Sequence, residues 1–320
     1  MSADEPAGPG SRHLGLDLGG TNIKWAVVEH DGDAWTCLDR GQVATPIRDG
    51  EAAVVDRLIT VGREVAARWP DVASVGVGVP GLYDPVSGVA RFFVNFPTRW
   101  DGTPVAEPVS LGLGLPCALI NDARAFGLAE LRLGAGRGAR AMVGLTLGTG
   151  VGGVIAVDGR VRQGHDGTAG ELGHQTIDPD GPPCGCGNHG CLEAFARGDR
   201  IAAACGTATA EEAVIRAQAG DQRARDGLAE VGRYLGIGIA NMITVITPER
   251  VVIGGGVAAA GDLLFDPIRA EVRRRVTTTS LDEVEIVAAE LGTWAGAIGA
   301  AIHGAEALVS ASSPVADPVA

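Results

Sequence analysis

Nowhere in the 320 residues do 18 consecutive apolar side chains occur, so no membrane-spanning helix is expected. The opening MSADEPAGPGSRH has neither a basic start nor an apolar run of signal-peptide length, and a cytoplasmic location is the expectation. Basic charge is also short: 26 Lys and Arg face 39 Asp and Glu, a net charge of −13. Nucleic acids and anionic membrane surfaces need a basic footprint to release counterions, and both are disfavoured as partners. The phosphate loop G-x-x-x-x-G-K-[ST] is absent. The glycine run at 254–256 is not the G-x-G-x-x-G of a dinucleotide-binding βαβ unit, which leaves a nicotinamide dehydrogenase little support. Three of the six cysteines, Cys37, Cys117 and Cys205, are scattered among mostly apolar neighbours, the usage of reduced core thiols rather than of a disulfide framework.

What is present is a regular alternation of short apolar runs and helical periodicity. HLGLDLG and KWAVVE read as strands around the turn GGTN. A helix is expected near 50–69, strands at ASVGVGVP and CALI, and a helix from about Asp122. Residues 144–159, GLTLGTGVGGVIAVDG, repeat the pattern of residues 15–30, GLDLGGTNIKWAVVEH, which suggests two related lobes that each open with a strand, a glycine turn and a strand. Helices follow at 209–219 and 222–245, then the strand RVVIGG, a helix near 262–275, the strand VEIVAA and a small-residue helix near 294–306. The fold class is therefore α/β, with sheets covered by helices. The expected organisation is a disordered start at 1–12, a first α/β lobe at 13–121, a larger second lobe at 122–306 with an inserted loop at 174–191, and a disordered tail at 307–320.

That inserted loop gathers the remaining cysteines. Cys184, Cys186 and Cys191 form C-x-C-x4-C, with His174 ten positions upstream, and four such soft or borderline ligands suit tetrahedral zinc. His189 lies inside the cluster and could replace His174 as the nitrogen ligand; spacing does not choose between them.

Two glycine turns suggest phosphate binding. In DLGGT, Asp17 ends a strand, and Gly19, Gly20 and Thr21 let backbone N–H groups converge on an anion. Gly148, Thr149 and Gly150 of LGTG could do the same from the other repeat, and together the two turns would clasp a polyphosphate tail. Lys24 follows the first turn as a candidate phosphate contact, with a solvated lysine the alternative. Gly254, Gly255 and Gly256 follow the strand RVVI, where a nucleotide base or ribose could lie against bare backbone. Asn121 and Asp122 stand between an apolar strand and a helix, as a cap or as a general base that accepts a hydroxyl proton.

The motifs DLGGT, VGVPG, INDA, LGTG, GELGH, CGCGNHGC followed by LEAF, and IGGGV, in this order from about residue 14 to residue 306, resemble the ROK family of repressors, open reading frames and kinases. The resemblance implies an actin-like ATPase (ribonuclease H-like) fold, duplicated into two lobes around a central cleft. It implies a kinase that transfers the γ-phosphate of ATP, with Mg2+, to the 6-hydroxyl of a hexose, glucose first. N-acetylmannosamine, N-acetylglucosamine or an aminosugar is the alternative within that chemistry, and a noncatalytic sugar-binding or regulatory protein the alternative outside it. By the same resemblance Asp122 is the catalytic base, and Asn95, Asn121, Glu171, His174 and Glu193 are sugar contacts. Asp17 helps to position magnesium, the glycine turns hold the nucleotide, and His174, Cys184, Cys186 and Cys191 bind structural zinc. A homodimer is the family-level expectation. Only 16 residues precede Asp17, too few for the DNA-binding segment of the family's repressors. The chain departs from the family where VNFPTRW replaces a P-N-L-P segment before the Trp, and where Arg124 stands at a site often taken by Asn.

Overall fold

A computed structural model describes residues 10–32, 34–93 and 96–312. The first described strands are β1 (Ser11–Leu18) and β2 (Asn22–His30), an antiparallel pair to which β3 (Trp35–Ala44) adds on the far side of β2. Helix α1 (Glu51–Arg68) buries Val54, Leu58, Val61 and Val65, an i, i+4, i+7, i+11 stripe, and ends before Pro70. It leads to β4 (Val72–Val79), which pairs parallel to β1. The hairpin β5 (Gly81–Tyr83) with β6 (Ala90–Phe93), then α2 (Ala106–Leu113), precede β7 (Cys117–Asn121), parallel to β4, and α3 (Asp122–Arg132). The first sheet therefore runs β3-β2-β1-β4-β7.

The second sheet repeats that plan. Strands β8 (Met142–Leu147), β9 (Val151–Val157) and β10 (Arg160–Val161) are successive antiparallel neighbours. Helices α4 (Glu193–Ala196), α5 (Gly198–Cys205), α6 (Ala210–Gln218) and α7 (Gln222–Ile246) intervene before β11 (Arg250–Gly254), α8 (Asp262–Arg275) and β12 (Glu285–Ala288). Strand β11 pairs parallel to both β8 and β12, so the order is β10-β9-β8-β11-β12. Each sheet thus consists of an antiparallel three-strand stretch extended by two parallel strands, the duplication that residues 15–30 and 144–159 announce.

The chain closes with α9 (Ala295–Ser312), which packs on β1, β4 and α3. The approach is so close that a Cβ on Gly15 would overlap the Ala297 carbonyl oxygen, and one on Gly76 that of Ala300. The small-residue composition of α9 is what this contact demands. Two compact units result: residues 1–133 with 165–167 and 294–320, and residues 134–164 with 168–293. This differs from a break at 121/122. Helix α3 packs against α9 and stays in the first unit, and α9 itself belongs there rather than to the second lobe. Ser11 and Arg12, expected to be disordered, lie in β1, and residues 307–312 continue α9. Among the described residues no helix is long and apolar enough to cross a membrane.

Candidate functional site

In the first unit, three parallel strands deliver their carboxyl ends to one edge of the sheet. Strand β1 ends in Asp17 and the turn Gly19-Gly20-Thr21, β4 ends at Val79, and β7 ends in Asn121 followed by Asp122. Ligands of open α/β sheets dock at such edges. Asn121 is the cap of α3: its Oδ1 accepts from the N–H groups of Ala123 (3.1 Å) and Arg124 (3.3 Å), and its Nδ2 donates to the Gly81 carbonyl (3.2 Å). Asp122 is the first residue of the helix, where the N-terminal end of the dipole favours a carboxylate, and its Oδ1 accepts from Ala123 N–H at 2.8 Å.

Asp17 is crowded by backbone. A Cβ on Gly296 at the start of α9 would approach its Oδ2 to 2.5 Å, and one on Gly78 of β4 would approach Oδ1 to 3.3 Å. Burial, together with the charge of Asp122, pushes the Asp17 carboxyl from 3.8 up to about 7, and Lys24 pulls the other way. Lys24 is the direct cross-strand partner of Asp17 on central β2 and is the one lysine in the chain. The charges of Asp122 and Lys24 thus act in opposite senses on the Asp17 carboxyl beside the glycine turn. The turn is held from outside by Thr45, whose Oγ1 donates to the Gly19 carbonyl (2.7 Å) and whose N–H donates to that of Thr21 (3.0 Å).

The second unit places its glycine turns side by side. Gly148, Thr149 and Gly150 join β8 to β9, and Gly254, Gly255 and Gly256 follow the neighbouring β11. Gly255 has φ +95° and sits so close to the Leu147 carbonyl that any side chain would overlap it, so glycine is required there. The Glu193 carboxylate reaches the LGTG turn, its Oε2 accepting from Val151 N–H at 2.9 Å.

Next to Glu193 lies the thiol cluster. The donor atoms of His174, Cys184, Cys186 and Cys191 all fall within 4.8 Å of one another. Cys186 Sγ and Cys191 Sγ are 3.7 Å apart, and His174 Nδ1 is 3.6 Å from Cys184 Sγ. A tetrahedral ion with metal–sulfur bonds of about 2.3 Å and metal–nitrogen bonds of about 2.0 Å requires edges of about 3.8 and 3.5 Å, which these two separations match, and three thiols with one imidazole are a donor set that suits zinc. Burial pushes Cys191 and Cys184 up, whereas the backbone N–H of Asn188 holds the exposed Cys186 below the usual thiol range. Of the two histidines, His174 lies within the group, whereas His189 is exposed and stands outside it. Glu171 is exposed at the start of the 3-10 turn Leu172–His174. Asn95 lies outside the described residues.

Thr45 was not singled out in the sequence; its signal is the Thr-Pro step at 45–46 that ends β3. Trp100 was visible only as part of VNFPTRW. It is buried, stacked on Phe93 (4.7 Å) and edge-on to Phe96 (5.3 Å).

Two units that share one sheet plan, each with glycine turns at the carboxyl ends of parallel strands, define the duplicated α/β class of the actin-like ATPases. The ROK family model matches residues 13–306, and the chain belongs to the ROK family. It is 35% identical over 312 residues to a glucokinase of Thermotoga maritima, covering 92% of this chain and 97% of that protein. A ROK family glucokinase from Streptomyces griseus, solved in complex with glucose and AMPPNP, superposes with a TM-score of 0.78 at 33% identity, covering 92% of this chain and all of that one. The ROK hexokinase of Thermus thermophilus gives 0.79 at 34% identity, covering 93% and 99%.

Proposed function

We propose that this protein is an ATP-dependent hexose kinase that transfers the γ-phosphate of ATP to the 6-hydroxyl of glucose. The observation that carries the reading is the pairing of Asp122, at the first turn of α3, with Asp17 beside the first glycine turn on the same sheet edge. Asp122 accepts the proton of the sugar hydroxyl as its oxygen attacks phosphorus, and Asn121 fixes the helix end that presents it. Phosphoryl transfer needs little covalent help, so the rest of the work is alignment and charge neutralisation. Lys24 and the N–H groups of Gly19, Gly20 and Thr21 offer the first set of phosphate donors, Gly148, Thr149 and Gly150 the second, and Gly254 to Gly256 an open backbone for the nucleoside. Mg2+ held with the help of Asp17 would neutralise phosphate charge, and the raised affinity of that carboxyl for protons is what a cation would relieve. Zn2+ held by His174, Cys184, Cys186 and Cys191 would supply no open coordination position and acts as a structural staple. With Nδ1 of His174 toward the cluster, its other ring nitrogen is left for a sugar hydroxyl; Glu171 and Glu193 of the same unit, and by the family resemblance Asn121 and Asn95, are the further sugar contacts of this reading.

The glucokinases named above support glucose as the acceptor. The test is turnover on a panel of glucose, N-acetylmannosamine, N-acetylglucosamine and glucosamine, with ATP and with polyphosphate as donors. Glucose with ATP should give the highest kcat/KM. A preference for an N-acetylhexosamine would move the substrate assignment, and no turnover with any acceptor would overturn the kinase reading.

A further inference from the structure

The segment that carries the last thiol of the cluster also carries both fastenings of the second glycine turn. Two residues after Cys191, Glu193 Oε2 accepts from Val151 N–H at one end of that turn. Seven residues after it, Gly198 N–H donates to the Gly148 carbonyl at the other end, at 2.8 Å. The intervening chain has no slack, since Ala194 N–H bonds the Cys191 carbonyl (2.9 Å) and Arg197 N–H that of Glu193 (3.1 Å). Glu193 also faces the cluster directly, its Oε1 lying 3.8 Å from Cys184 Sγ. The turn is drawn hard against this carboxylate: a Cβ on Gly150 would stand 2.5 Å from Glu193 Oε2.

The core beneath the cluster is minimal. Cys184, Cys191 and Ala194 form a small apolar group of their own, apart from the large core of the unit. Two of its three members are metal ligands. Leu192 and Ala196 anchor the short helix in the large core, so without a metal the change falls on the cluster side, where the thiols lose their cross-link and Ala194 and the Glu193 carboxylate lose the fixed surface they face.

We propose that metal occupancy of the His174, Cys184, Cys186 and Cys191 cluster sets the conformation of the 148–151 turn, and with it nucleotide affinity, through Glu193 and Gly198 as positioning residues. The proposal rests on the kinase reading only for the identity of the turn's ligand, ATP phosphates; the coupling itself lies within the second unit. It assigns the metal a second task, because a staple that served only the sugar contact at His174 would leave nucleotide binding untouched.

The experiment compares metal-loaded and chelator-stripped protein without sugar, measuring AMPPNP affinity by calorimetry and amide exchange across residues 148–151. Stripping should weaken AMPPNP about tenfold or more, the usual scale for losing an outer-shell partner, and should speed exchange at the Val151 amide. Gly198→Pro provides an arm that leaves the metal in place. Proline suits the first position of α5, and Arg197 before it is extended (φ −73°, ψ 160°), yet the variant deletes the donor to Gly148 and sets its ring against that carbonyl, which a Cβ alone would approach to 3.0 Å, so the end of the turn is released and pushed away. It should keep full metal content and raise KM for ATP several-fold, with KM for the sugar unchanged. Stripping it should then cost less additional affinity than in the parent protein. Equal AMPPNP affinity and equal exchange with and without metal would overturn the coupling. So would a metal-loaded Gly198→Pro protein with unchanged KM for ATP, even if the stripped parent proves unfolded. A loaded parent that binds no AMPPNP would overturn the kinase reading instead, and the exchange measurement would still decide the coupling.

Discussion

Asn121 and Asp122 are adjacent, yet the helix and the chemistry draw on them separately. Asn121 supplies the cap, so Asp122→Asn should leave thermal stability and nucleotide affinity near those of the parent while lowering kcat by about two to four orders of magnitude. Near-normal turnover in that variant would reduce Asp122 to a sugar ligand. Asp17 makes a different prediction. Its carboxyl keeps a proton in the folded state up to about pH 7, whereas a free aspartate releases it near 3.8. The folded protein therefore binds more protons across that window, and this stabilisation is complete below about 3.8 and lost as pH rises through about 7. In nucleotide-free melts, Asp17→Asn should gain stability relative to the parent as pH goes from 5 to 8; a difference constant with pH would remove burial of Asp17 from the account. The residue types of this site were legible in DLGGT and INDA, because a carboxylate at the end of an apolar strand stands out. The division of labour within Asn-Asp was not, since either residue caps a helix, nor was which histidine lies with the thiols, since His174 and His189 differ in exposure and not in chemistry.

At the scale of the element, the contact of α9 with the first sheet depends on the absence of side chains. Gly76→Ala would drive a methyl group into the Ala300 carbonyl, and backbone cannot rotate away as a flexible side chain could. Overpacking of this kind costs about 1–3 kcal/mol, read as a lowered melting temperature, with kinetic constants little changed at temperatures where the protein stays folded. A variant as stable as the parent would mean that α9 is not pressed on β4 as described. The paired strands β1–β2 and β8–β9 were legible as a repeat because their burial pattern and turn glycines are local. Strand β3 was not: WTCLDRGQVA is an edge strand with alternating half-buried and exposed positions, and it carries too few apolar residues to announce itself. The run AGAIGAAIHGAEA reads as a helix, but nothing local in it names β1 and β4 as its partners.

For the whole molecule, the order of elements along the chain and their order in space diverge. Residues 134–293 hold the whole of the second unit and, apart from 165–167, interrupt the first between α3 and α9. Ending the chain after Thr293 should therefore damage the first unit, although most of that unit lies at the other end of the sequence. The buried faces of β1 and β4 that α9 covers would be open, and cooperative melting of the first unit should disappear while amide protection in β8, β9 and β11 persists. Loss of protection confined to the second unit would contradict this assignment. During synthesis the same arrangement reverses the usual sequence in which the end made first folds first. The stretch that begins at β1 leaves the ribosome early but lacks its covering helix until α9 is translated, whereas the later-made stretch already has all its strands. Until then the uncompleted apolar sheet is a surface for chaperones to shield, and a protein with an early stop codon is one for proteases to find.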